Sequence, residues 1–256
     1  MSIINSFDDK SKPLVDISAF ILERKNCADI CIVSFSKHVL DMFLENYKYE
    51  IVGFVATANG PIHVYLFEED NIKMLFYMSP IGSSSASTIM YEVHYAFGPT
   101  KFIVYGSCGI LDKEKCSGKL IVPFESYRDE GLSYHYMQPS DYIAIKNYKK
   151  ITNIFDKYKL PYVIGKSWTT DAIYMETMNK ANKRRSEGCI SVEMESSGLQ
   201  ALSNFYGLDL YTFFFPADLL DGDSWEKANL GGDSERKLQQ ETFKVAILIA
   251  KEICFL

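Results

Sequence analysis

The sequence lacks the marks of membrane, secreted and nucleic-acid-binding proteins. Nowhere do about 18 apolar residues run together, so no membrane-spanning segment is expected. The first residues, MSIINSFDDKSKP, contain no apolar core and carry acids where a signal peptide would carry bases, so we expect a cytoplasmic protein. Positive charge is not in excess either, since the net charge is −6, and this argues against nucleic acid or an anionic membrane as a partner.

Residue patterns that bind metals or cofactors are also missing. None of the six cysteines forms a CxxC pair, and Cys27 and Cys31 lack the second ligand pair that would complete a zinc site. His38, His63 and His94 have no metal-ligand spacing. No GxxxxGK(S/T), GxGxxG or GxSxG motif occurs. We therefore expect no metal, no cofactor and no nucleoside triphosphate or dinucleotide site.

What the sequence does have is a regular alternation of apolar and amphipathic stretches. ADICIVSF (28–35) predicts a buried strand, EMESSGLQALSNFYG (193–207) a helix and SDYIAIKNYKKITNIFDKYKL (140–160) a charged amphipathic helix. This alternation, with 47% hydrophobic residues, predicts one α/β domain over residues 1–256 with an N-terminal extension at 1–20. We expect a central mixed, largely parallel sheet flanked by helices.

Small or polar residues follow six of the predicted strands. Because ligands bind beyond the carboxyl ends of the strands in open α/β sheets, these residues suggest one shared pocket. They are Ser34 and Ser36, the stretch from Ser79 to Ser85 around Gly82, Gly106 to Cys108, Thr169 to Asp171, Glu193 to Glu195, and Asp218.

Within this set, Glu193 and Glu195 flank Met194 between a short apolar run and a predicted helix start. The helix dipole stabilises one acid in the first turn, but it does not explain a second. A carboxylate is a good bidentate acceptor for a vicinal diol, so the pair favours a sugar site. Met194 would then be either an apolar contact for the sugar or ordinary core packing.

Asp218 and Arg128 each allow two interpretations. Asp218 follows the apolar strand LYTFFF, where it is either a turn or capping residue or a carboxyl placed for proton transfer, with a pKa tuned by partial burial. Arg128 lies in SYRDEGLSYHY (126–136), which is either a surface hairpin with a weak ion pair or part of a site.

Taken together, these motifs resemble the nucleoside phosphorylase superfamily that contains uridine phosphorylase and the hexameric purine nucleoside phosphorylases. The resemblance runs over most of the chain and implies the family's three-layer α/β sandwich and a homo-oligomer, either a dimer or a trimer of dimers. The segments that carry it are PIGSSSAS, VYGSCGILD, YRDEGLSYHY, SWTTDAIYMET, SVEMESSG with its Glu-Met-Glu ribose motif, and FFPADLL.

The resemblance implies cleavage of a ribosyl N-glycosidic bond through an oxocarbenium-like transition state. Glu195 would hold the 2′- and 3′-hydroxyls, Met194 would pack on the sugar, and Glu193 would brace the site. Asp218 would donate a proton or hydrogen bond to the leaving base. Further implied substrate contacts are Gly106, Ser107, Trp168 and Ile173, and implied phosphate contacts are Gly82, Ser83, Ser107 and Arg128.

The chain departs from the family where phosphate binds. Phe35 stands in place of a glycine after the first strand, and Val104 in place of an arginine. Each lost charge-assisted contact is worth roughly 1.5–3 kcal/mol, so phosphate binding should weaken unless Arg128, Lys37 or Arg236 substitutes.

The reaction and the base therefore stay open. The family favours phosphorolysis, with inorganic phosphate as co-substrate. The missing arginines favour hydrolysis, and Ile173 in place of the family's aromatic also allows a non-catalytic nucleoside-binding protein. Asp218, and the absence of a uracil-reading glutamine and arginine after Tyr174, slightly favour a purine.

Overall fold

In the computed structural model, which describes residues 2–222 and 224–254, ten strands form one mixed sheet. The strands are β1 (Ile30–Ser34), β2 (Tyr49–Thr57), β3 (Gly60–Glu69), β4 (Ile72–Met78), β5 (Lys101–Ile110), β6 (Leu120–Asp129), β7 (Tyr142–Ala144), β8 (Tyr162–Thr170), β9 (Cys189–Glu193) and β10 (Asp209–Leu219).

Helices cover both faces of this sheet. On one face, α1 (Lys37–Asn46), α5 (Tyr148–Tyr158) and α8 (Asp233–Ile253) share a hydrophobic core with the sheet, through side chains such as Phe43, Ile151 and Phe243. On the opposite face, α2 (Ser83–Phe97) and α7 (Ser196–Tyr206) pack through Ile89 and Leu199. The helices are α1 (Lys37–Asn46), α2 (Ser83–Phe97), α3 (Lys113–Cys116), α4 (Ser133–Tyr136), α5 (Tyr148–Tyr158), α6 (Met178–Ser186), α7 (Ser196–Tyr206) and α8 (Asp233–Ile253), with 3₁₀ turns at Ile3–Asn5, Ile17–Ala19 and Ile173–Met175.

The sheet runs in the order β10-β6-β8-β9-β5-β1-β4-β3-β2, with β7 beside β6. β5 pairs in parallel with β1 and β10, and antiparallel with β9. Because β10 also pairs with β6, the strands β5, β10, β6, β8 and β9 close into a ring. The ring brings the carboxyl ends of β5, β9 and β10 next to one another.

The predicted fold class is confirmed: a mixed sheet lies between helices on its two faces. β1, β4, β5 and β10 pair in parallel, as do β6, β8 and β9, and the β2-β3-β4 meander is antiparallel. None of the helices in the described ranges is both long enough and apolar enough to span a bilayer.

One predicted element is wrong in its first half. The sequence pattern predicts a helix over 140–160, but Tyr142–Ala144 forms β7 and the helix begins only at Tyr148. Ile143 is buried between two more exposed neighbours, because β7 pairs with β6 and its side chains alternate across the sheet. Pairing with a distant strand has overridden the local helical pattern.

Candidate active site

Gly109 is the point where three strand ends meet. It pairs with Val192 of β9 and with Asp218 of β10. A Cβ atom at this position would lie 2.9 Å from the Val192 side chain and 2.5 Å from that of Leu220, so a larger residue would push these strands apart. The same position lies 3.4 Å from Oδ1 of Asp218. Because Gly109 has no side chain, the carboxyl of Asp218 can approach the end of β9, whose last residue is Glu193.

Glu193 is buried, with 5% of its surface exposed, and both carboxyl oxygens are hydrogen-bonded. Oε1 accepts the hydroxyls of Ser167 at 3.1 Å and Thr169 at 2.5 Å, and Oε2 accepts the N–H groups of Glu195 at 2.8 Å and Ser196 at 2.7 Å. Burial raises the pKa of this carboxyl, and the hydrogen bonds oppose the rise. Glu193 thus caps the start of α7 and holds its neighbour Glu195 in place.

Glu195 is the second buried acid, with 8% of its surface exposed. Its Oε1 accepts the backbone N–H of Gly82 at 2.7 Å. Burial, and then the nearby charge of Glu193, raise the pKa of Glu195 to about 8. Gly82 has a φ of 97°, a conformation that suits glycine, and it precedes the first turn of α2. The glycine-rich turn and the Glu-Met-Glu segment therefore form one unit.

Close packing of α2 against α7 completes this unit. The hydroxyl of Ser83 donates to the backbone oxygen of Met194 at 2.9 Å. A Cβ atom at Gly198 would lie 2.6 Å from Cβ of Ser83, so the two helix starts touch. The predicted residues Glu193, Met194, Glu195, Gly82 and Ser83 thus lie together. The Gly82 N–H and the Ser83 hydroxyl already have protein partners, and their predicted contact with phosphate stays a prediction.

Gly106 and Ser107 lie within β5, and an aromatic ring lies beside Gly106. Ser107 is exposed and pairs with Phe215 of β10. A Cβ atom at Gly106 would lie 3.2 Å from the ring of Phe35, so this ring covers the glycine. The residue that stands in place of the family's phosphate-binding glycine thus packs its ring against Gly106 of β5.

Arg128 lies among residues of its own segment, with 2% of its surface exposed. Nε donates to the Ser133 hydroxyl at 2.8 Å, and Nη1 donates to the backbone oxygen of Gln138 and the hydroxyl of Ser140, each at 2.9 Å. The guanidinium also stacks on Tyr134, with its centre 4.1 Å from that of the ring. Burial lowers the pKa of Arg128. These contacts turn the charge toward the 133–140 segment, and a phosphate contact stays a prediction.

Asp218 has two neighbours that the sequence analysis did not single out. Its Oδ2 accepts the indole N–H of Trp225 at 2.6 Å. Glu176, half-buried just beyond the 3₁₀ turn at Ile173–Met175, has its pKa raised to about 7, first by burial and then by the negative charge of Asp218. An acid in the otherwise apolar stretch IYMET was the only signal for Glu176. A carboxyl whose pKa is raised to about 7 therefore lies near Asp218.

The two predicted base-pocket residues lie at different depths. Ile173 is more than half exposed and, with Tyr174 and Met175, forms an apolar rim on the 3₁₀ turn. Trp168 is fully buried, and its N–H donates to Oδ2 of Asp129 at 3.1 Å. A side chain with no exposed surface leaves no room for substrate contact in this conformation, whereas Ile173 is accessible.

Two cavities border these residues. One of about 630 Å³ opens between the β2–β3 hairpin and α2 and includes Ser79, Ser84 and Ser85, on either side of the Gly82 turn. Another of about 190 Å³ is lined by Asp218 and Lys113, among others. In the described ranges, no three ligating side chains are grouped to hold a metal ion.

Comparison with models of protein families finds one that matches this chain. Residues 29–251 match the model of the phosphorylase superfamily, which is nearly the whole chain. The chain belongs to the phosphorylase superfamily. The resemblance drawn from the motifs is thereby confirmed. Among its curated relatives, a DeoD-type purine nucleoside phosphorylase of Bacillus cytotoxicus is 22% identical over 225 residues, which cover 85% of this chain and 88% of the relative. One from Caldanaerobacter subterraneus is 24% identical over 177 residues, which cover 68% and 72%.

Two solved structures with the same fold are named as a hydrolase and a nucleosidase, not as phosphorylases. A futalosine hydrolase mutant of Helicobacter pylori superposes on this phosphorylase-superfamily chain with a TM-score of 0.71 and 16% identity, covering 88% of this chain and 100% of its own. An AMP nucleosidase of Bacteroides thetaiotaomicron gives a TM-score of 0.69 and 19% identity, covering 88% of each chain. At these identities the likeness concerns the fold alone.

Proposed function

We propose that this protein cleaves the N-glycosidic bond of a nucleoside, with water rather than phosphate as the attacking group. The proposal rests on two observations: a buried acid, Glu195, accepts the Gly82 N–H, and the ring of Phe35 lies beside Gly106 of β5. The first feature suits a sugar diol. The second places an aromatic ring where the resemblance implies a phosphate-binding glycine.

Glu195 would bind the sugar. Its carboxyl is held at one oxygen by Gly82 and is fixed along the backbone by Glu193, so its position is set before substrate arrives. Hydrogen bonds to the 2′- and 3′-hydroxyls would then form with little loss of conformational entropy, because the carboxyl is already ordered. Met194 and the exposed Ile173 would supply apolar surface for the sugar and the base.

The leaving base would take its proton from the Asp218–Glu176 pair. A group with a pKa of about 7, as Glu176 has, is suited to proton transfer near neutrality. As the C1′–N bond breaks, its electron pair stays on the base nitrogen, which takes the proton. Water then adds to C1′ and gives its proton to the carboxylate left behind, which restores the pair. The indole N–H of Trp225 would hold Asp218 in position.

Water is favoured over phosphate because most donors of the candidate cations have partners elsewhere. Nε and Nη1 of Arg128 bond to its own segment, and its Nη2 is buried without a hydrogen bond to the described residues. Lys37 is paired with Asp41 in α1, and Arg236 lies near Asp233 on the surface. A phosphate dianion without charge-assisted partners would bind weakly. The names of the two structural neighbours, a hydrolase and a nucleosidase, are consistent with this choice. Those of the curated relatives favour phosphorolysis as the alternative, and they favour a purine as the base.

The test is product analysis with inosine, adenosine and uridine, with and without phosphate. We expect the base and the free pentose at the same rate in both conditions, and faster with the purine nucleosides. Formation of pentose 1-phosphate that depends on phosphate would establish phosphorolysis instead. Thermal stabilisation by a nucleoside without any turnover would identify a binding protein.

Assembly and location are part of the same proposal. Family members are expected to be dimers or trimers of dimers, and a cytoplasmic homo-oligomer suits this chain. A stable monomer in sedimentation at micromolar concentration would contradict the first part.

A further inference from the structure

A buried carboxylate connects the segment after β6 to the start of α7. Glu130 has 5% of its surface exposed. Its Oε2 accepts the backbone N–H of Ser133 at 3.0 Å, and its Oε1 accepts the hydroxyl of Ser197 at 2.9 Å. A buried carboxylate is retained only where it is well paired, and this one is paired on two separate elements.

The segment that holds Glu130 is itself fixed. The guanidinium of Arg128 donates to the Ser133 hydroxyl and stacks on Tyr134, which in turn donates its own hydroxyl to the backbone oxygen of Arg128 at 3.1 Å. Arg128 therefore locks the residues on which Glu130 rests. This gives the segment 128–136 a role in the interior rather than that of a surface hairpin.

Ser197, the other partner of Glu130, lies in the first turn of α7, two residues after Glu195. Its backbone N–H donates to the Thr169 hydroxyl at 3.1 Å, and that hydroxyl lies 2.5 Å from the carboxyl of Glu193. The first turn of α7 is thus held from one side by Glu193 and Thr169, and from the other by Glu130.

We propose that Glu130 is a positioning residue for Glu195, acting through Ser197 and the first turn of α7. The inference rests on the proposed function, in which Glu195 binds the sugar hydroxyls. Glu193 fixes the backbone of Glu195 directly. Glu130 sets the angle at which α7 begins, and hence the distance from the Glu195 carboxyl to the Gly82 turn and to the sugar.

The test compares Glu130→Ala and Ser197→Ala with the wild type on a ribonucleoside and on its 2′-deoxy counterpart. In the proposed complex Glu195 binds the 2′-hydroxyl. Displacement of Glu195 should therefore lower kcat/KM for the ribonucleoside by about 10- to 100-fold and lower it less for the deoxynucleoside. The preference for ribose should therefore shrink. The double variant should be no worse than Glu130→Ala, because both changes break one link. Glu130→Gln should restore most of the preference, since an amide can bond to both serines.

A second readout does not depend on catalysis. Hydrogen–deuterium exchange at the Gly82 amide, which donates to Glu195, should speed up in both alanine variants. Glu125→Gln is the matched control, because Glu125 lies on β6, the strand that precedes Glu130, pairs with Lys166 at 2.8 Å and should leave both readouts unchanged.

The outcomes separate the two proposals. If the wild type neither binds nor cleaves a nucleoside, the proposed function fails and the Gly82 exchange alone decides the role of Glu130. Unchanged ribose preference together with unchanged Gly82 exchange in Ser197→Ala, which removes only a hydroxyl, would overturn the role of Glu130, even if Glu130→Ala does not fold.

Discussion

Replacing Glu195 tests the sugar site at the residue on which it depends most. Glu195→Ala removes the acceptor of the Gly82 N–H and, in the proposed complex, the acceptor of the two sugar hydroxyls. With a pKa of about 8, Glu195 is mostly neutral at pH 7, and a hydrogen bond between neutral groups contributes roughly 0.5–1.5 kcal/mol, so losing the two sugar contacts costs about 1–3 kcal/mol. This corresponds to a fall of about 5- to 150-fold in kcat/KM.

Glu195→Gln separates binding from folding. The amide oxygen still accepts the Gly82 N–H, but one acceptor for the sugar is lost, so kcat/KM should fall by only about 2- to 10-fold. With a pKa of about 8 in the folded protein, Glu195 is mostly neutral at pH 7, and a neutral amide should not destabilise it. Steady-state rates and urea unfolding at pH 7 measure the two effects.

A matched control is Glu125→Gln, which changes a partly buried glutamate on β6 that pairs with Lys166. It should leave kcat/KM unchanged. Should Glu195→Ala keep wild-type kcat/KM while folding normally, Glu195 does not bind the sugar and the reasoning is refuted.

Three further changes probe other parts of the account. Gly109→Ala places a Cβ atom 2.5 Å from the Leu220 side chain and should cost about 1–3 kcal/mol in urea unfolding; an unchanged midpoint would mean that the strands move apart freely. Because the protonated form of Glu176 is the active one and its pKa is about 7, kcat/KM should fall as pH rises through 7, and Glu176→Gln should remove this pH dependence; a flat wild-type profile would contradict the assignment. The folded pKa of Glu195 lies above its ordinary value of 4.5, so stability should fall as pH rises from about 4.5 to 8, and less so in Glu195→Gln; equal slopes would argue against a buried neutral acid.

The sequence predicted the fold well because its signals there are local and repeated. Alternating apolar and amphipathic stretches sufficed for the sheet and its covering helices, and the Glu-Met-Glu motif sufficed for the family. The helix predicted over 140–160 was wrong at its start because the pairing of Tyr142–Ala144 with β6 is a long-range contact. No helix was predicted over Met178–Ser186, since this helix has few apolar residues and buries little beyond Ala181 and Arg184.

The partners within the site could not be read from the sequence for the same reason. Glu193 and Glu195 are two residues apart, yet their carboxyls have different partners. That of Glu193 accepts a backbone N–H at the start of α7, and that of Glu195 accepts the N–H of Gly82, which lies 113 residues away in the chain. Glu176 follows β8 and Asp218 lies in β10, so the influence of Asp218 on Glu176 depends on how distant strands assemble. Phe35 was visible as a missing glycine, but only the fold reveals that its ring lies over Gly106.

The most direct test of the central claim is cleavage of a purine nucleoside in ¹⁸O-labelled water that also contains phosphate. Mass spectrometry of the sugar product, taken before the C1 hydroxyl of free pentose exchanges with water, should find free pentose carrying one ¹⁸O at C1, together with the free base. Unlabelled pentose 1-phosphate as the product would contradict the account.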